Sequence, residues 1–228
     1  MDEKLKKRVS LIIIILLILD IPFILYLLNF KLVAFNKNFY KKEFLKYDIY
    51  DEFPGDDIEI VNSELLYYLR YDKTDEYVRI DLFDEKEKGH LVDVKNIVQK
   101  SLIFLNMMII LFIILIITLI LIDKKDFMKK FSLALIYGGI ITFLDAFIFF
   151  ILVKINFNSV FDVFHRTFFK DGTWLFDEGS DMVRLYTSNF FYDATLSVIV
   201  WTLVIAFIFI LLGLFILYKE KKEDDRQK

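Results

Sequence analysis

Apolar residues in this chain are gathered into blocks. Residues 9–30, 102–122, 131–153 and 194–218 hold only two charged side chains between them, Asp20 and Asp145. Each block is as long as the roughly 20 residues a helix needs to cross a hydrocarbon core. The pattern therefore predicts four transmembrane helices, with flanking or connecting segments at 1–8, 31–101, 123–130, 154–193 and 219–228.

The two long connections carry patterns of their own. In 31–101, Pro54-Gly55 is a turn signal, and Asn62-Ser63 with Glu64 predicts the cap of a short helix running to about Arg70. Tyr77 to Phe83 alternates Val78, Ile80 and Leu82 as a strand does. The expected fold is a mainly α membrane protein with four transmembrane helices and a small mixed α/β extracellular cap. From Asp84 the run D-E-K-E reads as a capping box, with the Asp84 carboxylate meeting the backbone N–H near Glu87. Leu91, Val94 and Ile97/Val98 then recur at helical spacing into the second block. In 154–193, Phe157, Phe161, Phe164 and Phe168 recur three or four apart and predict a helix with one aromatic stripe.

Composition narrows the function classes. With 29 Lys and Arg against 32 Asp and Glu and a net charge of −3, no compact basic face exists for nucleic acid. There is no cysteine, which excludes a thiol nucleophile, an Fe–S or Cys-based zinc site and any disulfide. The N-terminus has the basic start of a signal peptide, but its apolar run continues past Asp20 to Phe30 without a small-residue cleavage site, as expected of a retained anchor. The 123–130 connection holds four lysines, and basic residues also precede the first block and follow the last. By the positive-inside rule both termini are expected in the cytoplasm and both long connections outside.

Candidate chemistry centres on the two histidines, His90 and His165, which both fall in the external connections. Each has a carboxylate three residues away, Asp93 and Asp162, on the same face if the segment is helical. One reading is a pair of solvated, idle surface histidines. Another is an acid–base pair, with His165 desolvated among Phe161, Phe164 and Phe168 so that it stays a usable base near neutrality. A third is a metal site, His90-x-x-Asp93 with Asp162-x-x-His165. The eleven rings between Ile155 and Tyr192 exceed what interfacial anchoring needs and leave room for an apolar pocket. Asp20 and Asp145 each cost about 3 kcal/mol at a helix centre and need a partner or water. A proton path competes there with structural contacts to Thr, Ser or Tyr of a neighbouring span.

Two stretches carry a resemblance: L-F-D-E-K-E-K-G-H-L-V-D-V-K from Leu82 to Lys95, and F-H-R-T-F-F-K-D-G-T-W-L-F-D-E-G-S-D from Phe164 to Asp181. Together with span order and loop lengths, they resemble the paired signatures of the bacterial lipoprotein intramolecular transacylase family. The resemblance implies an enzyme that moves the sn-2 acyl chain of a diacylglyceryl-cysteine lipoprotein onto the α-amine of that cysteine, leaving the lyso form. It implies catalytic histidines at His90 and His165, with Glu87 and Asp93 supporting them. The implied substrate pocket draws on Phe161, Phe164, Phe168, Phe169 and Trp174. No metal or other cofactor is implied, and the partners are diacylglyceryl lipoproteins and membrane lipid, with the site at the outer face of a bacterial plasma membrane. One departure is Leu185-Tyr186-Thr187, where the family pattern implies a proline at or near Thr187.

Such a reaction needs both imidazoles within about 12 Å to share one ester. His90 precedes the second block by 12 residues, roughly 18 Å of straight helix, so the helix from Glu85 is expected to bend or lie along the interface. The rival classes are a metal-dependent lipid hydrolase and a non-catalytic sensor or scaffold with an acidic binding cap.

Overall fold

The computed structural model describes residues 2–71, 81–170 and 172–227. Its elements are α1 (Glu3–Ala34), α2 (Lys37–Lys46), α3 (Ile49–Glu52), α4 (Ile58–Tyr71), α5 (Glu85–Ile122), α6 (Phe127–Phe168), α7 (Asp181–Leu185) and α8 (Ser188–Gln227). Four of these, α1, α5, α6 and α8, are long and apolar enough to cross a membrane, so the chain is a multi-pass membrane protein.

The described residues contain no strand, which corrects the expected α/β character of the cap. Most of the strand expected over Tyr77 to Phe83 falls on 72–80, outside the described residues, and Asp81 to Phe83 form a turn. The helix expected to be capped at Asn62 starts earlier. It begins at Ile58, with the Asp57 carboxylate accepting from the Ile60 N–H at 3.1 Å. Asn62 is instead buried inside that helix and accepts from the Tyr186 hydroxyl at 3.1 Å.

The chain divides into two compact units. One comprises Met1–Phe30, Phe104–Phe150 and Val198–Lys228, and the other Lys31–Ile103 and Ile151–Ser197. In the first, small residues let apolar helices approach closely, as in membrane interiors generally. A Cβ on Gly139 of α6 would stand 2.9 Å from the Ala206 carbonyl of α8, and one on Gly213 of α8 would stand 2.8 Å from the Ser132 carbonyl of α6. Asn29 bonds the Leu25 carbonyl and the Thr202 hydroxyl at 2.9 and 3.1 Å, tying α1 to α8. At one end the buried Asp123 carboxylate pairs with Lys130 and, at 3.2 Å, with Lys6, and these cations hold it below the ordinary carboxylate range. Asp145 lies beside Tyr26, and neither oxygen of the buried Asp20 has a hydrogen-bond partner.

The second unit has its own core, built on Phe44, Ile58, Leu65, Phe83, Leu185 and Phe190. Phe44 and Phe83 are almost wholly buried, and each such side chain contributes roughly 2–3 kcal/mol by leaving water. Helices α2, α3 and α7 there had no expectation from the sequence. Helix α2 is N-capped by the Asn36 side chain, which accepts from the Asn38 and Phe39 N–H groups. The Thr187 hydroxyl accepts from the Phe190 N–H at 3.2 Å and so caps α8, a bond a proline in its place would not make.

Candidate active site

Both histidines lie in the second unit, in the helical stretches outside the apolar blocks. His90 sits in the second turn of α5, whose start is fixed by the capping box. Glu87 N–H donates to the Asp84 carboxylate and Asp84 N–H to the Glu87 carboxylate, each at 2.8 Å. His165 lies near the end of α6. This helix is broken at Asn156, whose φ of −157° and ψ of 87° depart from helix geometry while its side chain caps the next turn through the Ser159 N–H at 3.0 Å. Helix α5 runs without such a break. Of the two courses expected for the His90 helix, a break of this kind is not found, whereas Asn156 supplies one in the helix that carries His165.

The two imidazoles meet: their ring centroids are 6.4 Å apart with planes 21° from parallel. Phe169 packs on both, at 4.7 Å from His90 and 5.2 Å from His165. His165 also touches Phe161 at 4.1 Å, Trp174 at 4.9 Å and Phe164 at 5.4 Å. Of the five rings expected in the pocket, these four gather around the imidazoles, while Phe168 packs against Phe164 with its plane tilted by 44° and is 55% exposed. Phe176, absent from that set, closes on His90 edge-on at 5.5 Å. Its place in the same ring-rich stretch was the only signal for it.

Neither carboxylate three residues from a histidine hydrogen-bonds to it. Asp162 pairs with Arg166 at 2.9 Å, one turn along, so it raises the His165 affinity for a proton only through space. Asp93 is half-buried and makes no hydrogen bond to His90, whose Nδ1 is buried without a partner. The four-member His/Asp cluster of the alternative metal reading is not assembled among the described residues, where no three such side chains gather so as to hold a metal ion.

Glu87, in contrast, is central. Only 2% exposed, it bonds the Asp84 N–H, the Met182 N–H at 2.9 Å and the Ser180 hydroxyl. Lys86 donates to the Leu175 carbonyl. These bonds stitch the loop bearing Trp174 and Phe176 onto the first turns of α5.

Electrostatics follow from burial. Desolvation lowers the His90 pKa from 6.5 to about 4, helped by the neighbouring His165. His165 is also lowered by burial, against the opposing effects of the Phe161 carbonyl and Asp162. Its Nδ1 lies 2.7 Å from that carbonyl oxygen. A carbonyl only accepts, so Nδ1 carries the hydrogen and the lone pair of the neutral ring sits on Nε2.

The lipoprotein intramolecular transacylase Lit family matches residues 12–191, a span that includes both histidines and every side chain just described. This chain belongs to that family. The fold agrees with the in meso structure of the membrane-integral lipoprotein intramolecular transacylase Lit from Bacillus cereus, at a TM-score of 0.82 over 95% of this chain and 99% of that one, with 22% identity. A variant of the Bacillus cereus transacylase with one histidine replaced by arginine gives a TM-score of 0.77 at 21% identity, covering 96% of this chain and 97% of the variant's. An uncharacterized protein of Aquifex aeolicus (strain VF5) is 30% identical over 133 residues, 58% of this chain. The match spans 55% of that relative's length.

Proposed function

We propose that this chain transfers the sn-2 acyl group of a diacylglyceryl-cysteine lipoprotein to the α-amine of the same cysteine. The family assignment supports a lipoprotein substrate, and the paired imidazoles supply acid–base chemistry without a covalent nucleophile. The observation that carries the reading is the stacked His90–His165 pair, in which the bond from His165 Nδ1–H to the Phe161 carbonyl leaves Nε2 as the base. The amine nitrogen forms a bond to the ester carbonyl carbon while its proton passes to His165 Nε2. The carbonyl oxygen takes the negative charge, with neutral His90 as a nearby donor. Collapse breaks the bond to the glyceryl oxygen, which leaves with the proton held by His165. Amine and ester belong to one molecule, so orientation replaces an acyl-enzyme, and effective molarities of roughly 10⁵ M or more are within reach of well-held intramolecular reactions.

The site is proposed to face the outside of a bacterial plasma membrane, with both termini cytoplasmic. Cysteines placed at Asp57 and Asp177 are then labelled by an impermeant reagent in whole cells, and one at Lys125 is not.

The test of function is expression in a bacterial host without its own transacylase, followed by mass spectrometry of lipoprotein N-terminal lipopeptides. Wild-type protein yields N-acyl, S-monoacylglyceryl products. His90→Ala and His165→Ala each lower the conversion about 10²–10⁴-fold at unchanged expression. Diacyl lipopeptide alone with the wild-type protein, or full conversion by either variant, defeats the reading.

A further inference from the structure

Among the rings that touch His165, Trp174 holds a polar atom that no bond explains. Its Nε1 is buried without a hydrogen-bond partner. An indole N–H is a donor only, and buried tryptophans ordinarily place it on an acceptor. Leaving it bare costs stability, so an orphan in an otherwise well-bonded loop calls for a partner that arrives from outside the chain. The loop is well bonded: Leu175 is held by Lys86, and Ser180 and Met182 by Glu87. The Trp174 ring lies 4.9 Å from His165, tilted by 37°, in direct contact with the imidazole whose Nε2 lone pair is free.

The geometry points to Trp174 as a further catalytic residue, its indole N–H donating to the carbonyl oxygen of the scissile ester as that oxygen becomes negative. This assignment rests on the acyl-transfer reading above. A base about 3 Å from the attacking amine and a donor about 3 Å from the carbonyl oxygen stand a few ångströms apart across the reacting carbon. Ring centroids 4.9 Å apart are compatible with that spacing. The donor is also dry, and a hydrogen bond to developing charge is worth most where water is excluded. His90, whose Nδ1 is also buried without a partner, stands as a second donor nearby, while His165 returns its proton to the leaving oxygen.

The experiment compares wild type with Trp174→Phe, which keeps an aromatic ring against His165 and deletes the N–H. A second variant carries β-(3-benzothienyl)alanine at position 174 by site-specific incorporation, retaining the bicyclic shape with sulfur in place of N–H. Each is assayed on a synthetic diacylglyceryl lipopeptide. Binding is measured to two inert analogues, one with an ether in place of the sn-2 ester and one with a tetrahedral phosphonate. The expected result is a kcat lowered about 10²-fold with KM unchanged, phosphonate affinity lowered at least about tenfold, and ether affinity unchanged. Wild-type kcat in the benzothienyl variant, or equal loss of both analogues, overturns the assignment and leaves Trp174 a packing residue. Wild-type protein that forms no N-acyl product overturns the functional reading itself, and this assignment with it.

Discussion

The Glu87 carboxylate accepts the Met182 N–H at 2.9 Å, joining positions 95 residues apart in the chain. Its other oxygen closes the capping box at Asp84. Glu87→Gln turns one of these acceptors into a donor facing an N–H, and unpaired buried groups of this kind cost about 1–3 kcal/mol each. Thermal unfolding in detergent is expected to show that loss. Amide exchange at Met182 is expected to quicken, and KM to rise as the Trp174 loop loosens. Unchanged exchange at Met182 argues that the carboxylate does not hold the loop.

Burial of His90 makes stability pH-dependent in a definite direction. Its folded pKa is about 4 against an ordinary 6.5, so between those values the unfolded chain binds a proton that the folded chain does not. Stability attributable to this group therefore falls as pH drops through the window, by about 2 kcal/mol from pH 7 to pH 5. The lowered His165 adds in the same sense. His90→Phe, which suits the surrounding rings, is expected to flatten the dependence of melting temperature on pH. An equal slope in both proteins contradicts this account.

Two glycines differ in what surrounds them. Gly139→Ala brings a methyl to 2.9 Å from the Ala206 backbone carbonyl, where neither helix yields cheaply, whereas a Cβ at Gly89 meets nothing within 4 Å. Melting in detergent is expected to register a loss of about 1–3 kcal/mol for the first. A gain of up to about 1 kcal/mol is expected for the second, which sits within helix α5. The reverse order disproves the close α6–α8 packing.

The acid–base catalysis proposed for the imidazoles needs no bound metal. Prolonged chelation, followed by assay on the lipopeptide, is expected to leave the rate unchanged. Activity lost on chelation and restored by a divalent ion favours the metal-dependent hydrolase.

What was legible in the sequence follows the strength of the local signal. Unbroken apolar runs such as 102–122 announce a membrane helix, and D-E-K-E announces its own cap because both partners lie three residues apart. The pairing of His90 with His165 was legible through the family resemblance, since both motifs carry a histidine. The partners of Glu87 were not legible, because Ser180 and Met182 come from distant chain and nothing local encodes the meeting. The carboxylates beside the histidines misled for the opposite reason. Asp162 had a closer competitor in Arg166, whose permanent charge and one-turn spacing outbid a neutral imidazole.

The group that orients His165 is a main-chain carbonyl, while the ring of the same residue, Phe161, packs against the imidazole. Position 161 thus divides its labour between a part that every amino acid shares and a part that substitution can alter. Leucine, methionine or tyrosine there would reshape the apolar wall and keep the proton on the same nitrogen. The apolar surroundings of the imidazole can vary over a wide range of sequences while its tautomer stays constant.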